Sequence, residues 1–585
     1  MFHIKNSNNF KVLLLVPMLV LIAFSFSQCK IEKKVKEQIS TVCNPMDLSY
    51  RFMPDGVSRR EAADPTVILF KDTYFLFASK SGGYWYSDDL TKWTFIETNE
   101  IPTEEYAPTA IVINNEVYFL ASNGKKNTIY KSADPKTGKW EIVKDGLKVP
   151  MTDPAFFLDD DNKLFIYWGC SNKDPIYGVE IDKNSFEFIG ETKELLFPNP
   201  QNFGWEIRGD YNTKTDVSPW LEGAWMNKHN GKYYLQYSAP GTLEKSYCDG
   251  VYESENPLGP FTVAKHNSFA YKPEGFACGA GHGSTFEDKY GNFWHVGTIT
   301  ISVKHKFERR IGFYPVFFDK DDVLYSNTKF GDFPMIIPKK KIESIDELFP
   351  NWMLLSYNKP IEVSSELEGH PKYLATDEEI RTFWSAKTGE KGGWLLMDLE
   401  KDVEINAIQV NFAEQDTKLF NRQPNIYQQF LVEYSSDKEI WKTLVDKTKS
   451  TEDAPHNYLQ LKKPIKARYV KITNYHTVSG KFAISDLRVF GNGQGNKPQF
   501  ERTLVATRNK ADRRQVKLNW NADKNAFGYN IRYGTAPEKL YLNYQVLKVD
   551  SLTIRSLSKL QKYYFTIDTF NENGIKKGSK IIAID

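Results

Sequence analysis

Five segments between residues 55 and 335 repeat one pattern: an apolar run, a polar turn and an aromatic run. The units begin near Asp64, Pro108, Asp153, Glu222 and His282. Alternating apolar residues around turns rich in Asn, Asp and Gly are typical of β-hairpins. Further strand-like runs follow each hairpin, and four strands in roughly 40–50 residues are the dimensions of a propeller blade. The repeat therefore predicts a five-bladed β-propeller over residues 55–340.

The 585-residue chain is too long for a single core, and its remaining length predicts two further domains. Many short strand-like runs with scattered turns in residues 355–492 predict a β-sandwich. Residues 498–585 have about the length of one seven-stranded sandwich. Trp520 and Tyr563 are the expected core tryptophan and corner tyrosine of that sandwich. The predicted fold class is all-β throughout.

Residues 1–29 have the pattern of an export signal, because lysines precede an apolar run that ends at Cys29. The run is short for a membrane span, which needs about 20 apolar residues. It resembles a bacterial lipoprotein signal, in which Cys29 becomes the lipidated first residue and residues 30–54 form a tether. Ordinary secretion with cleavage nearby is the alternative. We expect an exported protein, periplasmic or on the outer membrane or cell surface, that touches the membrane only through Cys29.

Charge and cysteine usage exclude several functional classes. The 76 basic and 74 acidic side chains leave a net charge of +2, which gives no electrostatic reason to bind nucleic acid. The cysteines beyond the signal show neither a CxxC pair nor a paired histidine, so a zinc site is not expected. These cysteines are Cys43, Cys170, Cys248 and Cys278. These cysteines either include one disulfide or serve as small buried side chains. We expect the protein to be a monomer.

Three of the five units open with a carboxylate: Asp64 in ADPTV, Asp153 in TDPAF and Glu222 in LEGAW. Acids at the starts of successive blades can converge on the axis of a propeller. Cleavage of a glycosidic bond needs a protonated carboxyl beside the leaving oxygen and an ionised one that activates water. A lone Asp-Pro is a common turn starter. The prediction that these acids are catalytic therefore rests on all three standing at the same place in three units.

On these three motifs, residues 55–335 resemble glycoside hydrolase family 43. The resemblance implies a propeller with three axial acids that hydrolyses with inversion and needs no cofactor. Asp64 would be the general base, Glu222 the general acid, and Asp153 would position the acid and keep it protonated. The implied substrates are terminal α-L-arabinofuranosyl or β-D-xylosyl units of plant-type polysaccharides. Galactose- or galactofuranose-releasing activity is the alternative, and an inactive glycan-binding lipoprotein is the competing class.

Further site residues are expected around the three acids. His282 in GAGHGSTF matches a histidine that, in many members of the family, helps to hold a metal, often calcium, through waters in the axial channel. Arg309 and Arg310 in FERRIGFYPV are expected to reach the substrate, with a surface salt bridge as the alternative. Most propeller aromatics belong to the core, but some should stack on sugar. The candidate sugar platforms are Trp85, Tyr106, Trp168 and Trp220.

Residues 355–492 resemble a discoidin-like (F5/8 type C) domain in TDEEIRTFWSA, GGWLLMDL and AISDLRVFG. The resemblance implies loops that bind sugars and a structural calcium near Asp377 and Thr382. The usual Asp-Gly-Asn of the first loop is Asp-Glu-Glu here, and a passive spacer is the alternative reading. Residues 498–585 resemble a fibronectin type III domain and are expected to be a spacer.

Overall fold

The structure, a computed structural model, describes residues 39–122 and 126–585. The predicted export signal and the first part of the predicted tether lie outside the described residues. Strands and turns dominate the described part, and its helices are short 3-10 turns at Pro135–Thr137, Gly204–Glu206, Ile345–Leu348 and Lys372–Ala375. Among the described residues, no helix has the length and apolar character that crossing a membrane requires.

Five four-stranded antiparallel sheets make up the first domain, and we number them blades 1 to 5 in chain order. The strands are Ala63–Phe70, Thr73–Ser79, Gly83–Ser87 and Thr94–Glu97 in blade 1; Thr109–Ile113, Glu116–Leu120, Ile129–Ser132 and Glu141–Lys144 in blade 2; Ala155–Leu158, Leu164–Trp168, Ile176–Ile181 and Phe188–Leu196 in blade 3; Glu222–His229, Lys232–Ala239, Cys248–Ser254 and Thr262–Val263 in blade 4; and Gly281–Glu287, Phe293–Thr300, Arg309–Phe318 and Leu324–Ser326 in blade 5.

The first strand of each blade contacts the first strand of the next, and blade 5 closes the ring onto blade 1. A separate apolar core fills each junction between neighbouring blades. Burial of aromatic and branched side chains on both faces of a sheet is what stacks such blades. The first strands therefore line the axis, and the residues at which they begin share one end of it.

The described part of the predicted tether is packed rather than free. Thr41–Val42 pairs with Met335–Ile336, and Leu48 and Tyr50 join the core between blades 1 and 5. The tether prediction has to be corrected for residues 39–54, because the apolar side chains there bury against the propeller.

The second domain is one antiparallel eight-stranded sheet system around a core that includes Trp384 and Phe430. Its strands are Met353–Leu354, Ile361–Val363, Trp384–Ser385, Trp394–Phe412, Gln428–Ser435, Lys442–Asp446, His456–Thr477 and Ala483–Asn492.

The third domain has two antiparallel sheets. One holds Val505–Arg508, Val516–Asn519 and Ser551–Ile554, and the other holds Gly528–Gly534, Leu542–Leu547, Tyr563–Asn571, Gly574–Lys576 and Ile582–Ile584. Trp520 and Tyr563 are buried as expected, and the Tyr563 hydroxyl accepts a hydrogen bond from the Ser558 N–H at 2.9 Å. The core of this domain continues into the propeller through Phe203 and Trp205, so the domain is not a detached spacer.

The all-β prediction is confirmed, and the domains share buried surfaces. Phe330, Phe490 and Phe570, one from each successive part of the chain, meet in one apolar cluster. The four described cysteines are free thiols, and Cys43, Cys248 and Cys278 are buried. Within the described residues, these three cysteines therefore act as buried small side chains, and no disulfide forms.

Candidate active site

Each blade opens on a residue with left-handed backbone geometry. These residues are Asp64 (φ 50°), Ala107 (φ 45°), Asp153 (φ 54°), Gly223 (φ 61°) and His282 (φ 45°). Residues other than glycine seldom adopt positive φ, so its recurrence at one place in all five blades is a property of the repeat. In blades 1, 4 and 5 the pairing register also shifts here, which marks a β-bulge. The bulge redirects the side chain at the mouth of each blade.

This shared geometry moves two residues out of the places that the sequence pattern gave them. Asp64, Asp153 and His282 are the left-handed residues of their blades, whereas Glu222 precedes the left-handed Gly223. In blade 2 the equivalent residue is Ala107, not Pro108. The prediction that the three acids occupy equivalent positions is therefore wrong for Glu222, which lies one residue before the position that Asp64 and Asp153 occupy.

A ring of hydroxyl groups fixes these blade mouths. The hydroxyls stand near the ends of the second strands, and each accepts the backbone N–H of the left-handed residue in the next blade. The pairs are Ser79 with Ala107 (2.7 Å), Ser122 with Asp153 (2.8 Å), Ser238 with His282 (2.6 Å) and Thr298 with Asp64 (3.0 Å). Sequence reasoning missed this ring, although the shared Ala-Ser ending of FLFAS and YFLAS was its visible signal.

Blade 3 departs from the ring. Gly169 occupies the corresponding position, since its N–H pairs with the Thr152 carbonyl at 2.9 Å, and it has no hydroxyl to offer. The next residue, Cys170, directs its thiol to Oε2 of Glu222 at 3.1 Å instead. The one blade without a hydroxyl thus faces the one blade whose acid is displaced by a residue.

Asp64 lies in a buried, positively charged setting. Its Oδ1 accepts a hydrogen bond from Arg309 Nη1 at 3.0 Å, and its Oδ2 accepts one from the Ser79 hydroxyl at 2.5 Å. Burial by itself would raise the pKa of this carboxyl, but Arg309, His282 and the Ser79 hydroxyl outweigh it and lower the pKa. Asp64 is therefore ionised at neutral pH.

His282 stands between two of the acids. Its Nδ1 lies 3.4 Å from Asp64 Oδ1 and 3.8 Å from Asp153 Oδ2. Burial would lower the pKa of the imidazole, but Asp64, Asp153 and other nearby carboxylates raise it. The ring also packs against Gly223, where a Cβ atom would come within 2.8 Å of the His282 Cγ. Glycine in LEGAW thus makes room for the histidine of the next blade.

Glu222 and Asp153 form the second half of the site. Oε1 of Glu222 accepts a hydrogen bond from the Tyr247 hydroxyl at 2.6 Å. Carboxylate oxygens of Asp153 and Glu222 and the Cys170 sulfur all lie within 4.8 Å of one another. Burial raises the pKa of Asp153 well above its usual range, and the charges of Glu222 and Asp64 add to this effect. His282 acts in the opposite direction and lowers it. Tyr247 and Cys170 were missed in the sequence because neither belongs to a repeated motif.

The two adjacent arginines have different roles. Arg309 lies in the site, where it donates to Asp64 and, through Nη2, to Glu61 Oε1 at 2.8 Å. Arg310 points to the opposite side and donates from Nε to His456 Nε2 of the second domain at 3.0 Å. The prediction that Arg310 reaches substrate is corrected, because successive side chains of a strand face opposite ways.

The predicted aromatic platforms also divide. Trp220 is 39% exposed and lies two residues before Glu222, and Tyr106 packs on Phe307 at 5.8 Å, close to Arg309. Tyr106 therefore borders the site, and Trp220 stays a candidate because it is exposed and close to Glu222 in the sequence. Trp85 and Trp168 cannot present an aromatic face at the site: Trp85 is fully buried between blades 1 and 5, and Trp168 stacks on Tyr177 in the core between blades 2 and 3.

The loop predicted to hold calcium in the second domain does not fit that ion. Thr382 Oγ1 donates to Asp377 Oδ2 at 2.7 Å, Glu378 binds the Arg488 guanidinium at 2.8 and 2.9 Å, and Glu379 is paired with Lys245. These oxygens, which calcium would need as ligands, are bound to protein groups. Water-mediated calcium near His282 stays a prediction.

Two family models match the chain. Residues 54–323 match "Glycosyl hydrolases family 43", and residues 360–485 match "F5/8 type C domain". Among curated proteins, "Beta-D-galactofuranosidase xynD" of Aspergillus niger is 25% identical over 237 residues, which are 34% of this chain and 63% of the relative. "Beta-xylosidase" of Xylanibacter ruminicola is 29% identical over 147 residues, 22% of this chain and 42% of the relative.

The chain spans less than two thirds of the length of these curated relatives. A solved Bacteroides ovatus structure titled "Xyloglucan PUL GH43B" is 14% identical, with 93% of this chain and 98% of that chain covered at a TM-score of 0.41. A likeness at that TM-score carries no argument about the site. The two matched ranges fall on the propeller and on the second domain. Residues 54–323 therefore form a domain of glycosyl hydrolases family 43, followed at residues 360–485 by an F5/8 type C domain.

Proposed function

We propose that the propeller hydrolyses glycosidic bonds with inversion and releases terminal sugar units from plant-type polysaccharides. The observation that carries the proposal is the convergence of three carboxyls at one end of the propeller axis, with Asp64 held by Arg309 and Glu222 held by Tyr247. The electrostatic settings of the two aspartates also differ. The pKa of Asp64 is lowered, chiefly by Arg309 against the effect of burial, while burial raises the pKa of Asp153. Titratable groups whose environments push their pKa values apart are typical of acid–base catalysis.

The roles of the three acids follow from this geometry. Asp64, held ionised by Arg309 and Ser79, takes a proton from the attacking water. Glu222, placed by the Tyr247 hydroxyl and the Cys170 thiol, gives its proton to the leaving oxygen. The bond from the anomeric carbon to the leaving oxygen breaks as the bond to the water oxygen forms. Asp64 then loses its proton to solvent, and Glu222 takes one from solvent. Asp153, whose carboxylate lies within 4.8 Å of those of Glu222 and the Cys170 sulfur, positions the acid.

The substrate class is supported by the names of the relatives and by the lining of the site. The curated relatives are named for xylosidase, arabinosidase and β-D-galactofuranosidase activities. Tyr106 and Trp220 offer aromatic faces, on which the C–H-rich face of a sugar packs. We favour terminal α-L-arabinofuranosyl or β-D-xylosyl units, with galactofuranosyl units as the alternative. Export as a lipoprotein through Cys29 belongs to the same proposal, and lipid labelling of a Cys29→Ser variant tests it.

The deciding experiment is a screen of the purified protein on aryl α-L-arabinofuranosides, β-D-xylosides and β-D-galactofuranosides. Proton NMR of the first anomer released reports inversion or retention. Asp64→Asn is the matched inactive control, because it keeps the shape of the site and removes the base. A wild type that binds these sugars without cleaving any of them would support the glycan-capture alternative. Retention of configuration would refute the roles given to Asp64 and Glu222.

A further inference from the structure

Two neighbouring stretches of chain separate the active site from the F5/8 type C domain. The first stretch is residues 59–62 and the second is residues 309–310. They lie side by side, because the Ala62 N–H donates to the Arg309 carbonyl at 3.4 Å, and residues 59–61 also pair with residues 51–53. Glu61 and Arg309 face the active site, where Arg309 joins Glu61 to Asp64. The adjacent side chains, Arg60 before Glu61 and Arg310 after Arg309, face the second domain.

Arg60 is one of these outward residues, and two carboxylates of the F5/8 type C domain hold it. Its Nε donates to Glu414 Oε1 at 2.6 Å, and its Nη atoms reach both oxygens of Asp453 at 2.7 and 2.9 Å. The side chain is 2% exposed and lies 4.0 Å above the ring of Phe52. Charge-assisted bonds of this kind, buried on both sides, fix a geometry strongly.

Arg310 is the second outward residue and repeats the arrangement. It donates to His456 Nε2 at 3.0 Å and to the Arg60 carbonyl at 2.9 Å. Burial, then Arg310 and Arg60, lower the pKa of His456 well below its usual range, so its ring is neutral and Nε2 can accept. The other nitrogen, Nδ1, then donates to Asn411 Oδ1 at 2.8 Å. The second domain thus holds both stretches by their outward side chains.

The same part of the second domain also holds the loop that precedes Arg309. Lys304 Nζ donates to the carbonyls of Ala413 and Glu414 at 3.3 and 2.8 Å. Phe307 of this loop packs on Tyr106 at 5.8 Å, and the Arg309 guanidinium lies 5.0 Å from the Phe307 ring. The site wall that carries Phe307 and Arg309 therefore rests on residues 413–414.

We propose that the F5/8 type C domain positions the active site of the propeller: Glu414 and Asp453, through Arg60, hold Glu61 and so keep Arg309 against Asp64. Neither acid touches the reacting atoms, so both are positioning residues. The inference rests on the proposed function for its kinetic consequence. It gives the second domain a role that needs no glycan bound to that domain.

Two single variants test the proposal: Glu414→Gln and Asp453→Asn. Each leaves Arg60 one carboxylate, so folding is expected to survive and is checked by thermal unfolding. We expect kcat/KM to fall about tenfold, mainly through kcat, and the acidic limb of its pH profile to move to higher pH. The cause is that a loosened Arg309 stabilises the Asp64 carboxylate less. Asp398→Asn is the control, because it removes an ion pair with Arg468 in the same domain, at 2.8 Å and 40% exposure of the arginine.

Hydrogen–deuterium exchange supplies a readout that does not depend on activity. Peptides covering residues 59–64 and 305–311 should exchange faster in Glu414→Gln and Asp453→Asn than in wild type or Asp398→Asn. Arg60→Lys, which keeps the charge, should show a smaller change than Arg60→Met in both exchange and pH profile. Unchanged exchange in these peptides overturns the inference. A wild type inactive on every glycoside would instead count against the proposed function, while exchange still decides the positioning role.

Discussion

Arg309 donates a hydrogen bond to Asp64 Oδ1 at 3.0 Å, across 245 positions of the sequence. The contact joins blade 5 to blade 1, because Asp64 lies at the start of the first strand of blade 1 and Arg309 begins the third strand of blade 5. It also sets the charge state of the proposed base, since Arg309 is the largest influence that opposes burial on the pKa of Asp64. The ring closure and the catalytic proposal therefore depend on one pair.

Replacing Arg309 should shift the pH dependence of catalysis. Arg309→Gln removes the charge that keeps the pKa of Asp64 low, so the acidic limb of the kcat/KM profile should move to higher pH. Arg309→Lys keeps a charge without the planar fork and should shift the limb less. Initial rates between about pH 3 and pH 9 measure both. An acidic limb that stays where it is in Arg309→Gln would remove Asp64 from the role of base.

Glu222→Gln should separate substrates by their leaving groups. Loss of a general acid costs about 10²–10⁴-fold on sugars with poor leaving groups and much less on activated aryl glycosides, which need little protonation. The comparison uses a series of aryl glycosides of graded leaving-group acidity, with Asp64→Asn measured beside it. The base variant should lose activity evenly across the series. Even loss in Glu222→Gln as well would contradict its assignment as the acid.

Gly223→Ala should displace His282. The new Cβ would meet Ser238 Oγ at 2.6 Å and His282 Cγ at 2.8 Å, on a backbone with φ +61°. We expect a loss of unfolding free energy of about 2–4 kcal/mol, from backbone strain together with overpacking, and a fall in kcat of more than tenfold.

Gly231→Ala is the matched control for that variant. This glycine sits in the hairpin turn of the same blade at φ +82°, with no heavy atom within 4 Å of the added Cβ. It shares the backbone strain, about 1–2 kcal/mol, without the crowding. Chemical denaturation and steady-state rates of both variants decide the matter, and equal effects would mean that His282 tolerates the methyl group.

Asp153→Asn should change how stability depends on pH. Burial raises the pKa of Asp153 in the folded state, so the folded chain holds this proton more tightly than the unfolded chain. Its stabilising contribution is complete below the usual Asp range and is lost as pH rises through the raised folded pKa. Asparagine removes this loss, and the variant should gain on the wild type at pH 8 relative to pH 4 by at least on the order of 1 kcal/mol. Urea unfolding at the two pH values measures the gain.

An exposed aspartate of the same blade controls for general charge effects. Asp160 lies in the hairpin turn between the first two strands of blade 3, and its side chain is 84% exposed. Asp160→Asn removes one negative charge without emptying a buried site. The expected pattern is a pH-dependent gain for Asp153→Asn that exceeds any gain for Asp160→Asn. A gain of the same size in both would contradict the burial argument.

The local sequence pattern was enough to predict the repeat, because a hairpin shows alternating apolar and polar residues on either side of turn residues. Asp64, Asp153 and His282 were found for that reason, since each begins such a hairpin. The one-residue offset of Glu222 was not predictable from spacing, because it depends on which residue of each blade takes positive φ. Glycine at position 223 was the only local hint.

Contacts between blades and domains were beyond the reach of the sequence pattern. Trp85 and Trp168 looked like sugar platforms, yet each fills the core of a blade junction that forms only when the ring closes. Cys170 acquires its contact with Glu222 from the neighbouring blade, and Arg310 acquires His456 from the second domain. Such pairs have no signature within a short window, because their partners are dozens to hundreds of residues away.

Ala107 gives the ring of blade mouths a direction. At this position blades 1, 3 and 5 carry an aspartate, an aspartate and a histidine, and blade 4 carries a glycine beside its glutamate, whereas blade 2 offers a methyl group. Ionisable side chains are therefore distributed unevenly among the five equivalent positions. Under the proposed function, a sugar that enters along the axis would meet ionisable groups on most of the circumference and an uncharged side chain on one side. The propeller has near fivefold symmetry in its backbone, but its axial end has a charged side and an uncharged side. Ala107 marks the uncharged side.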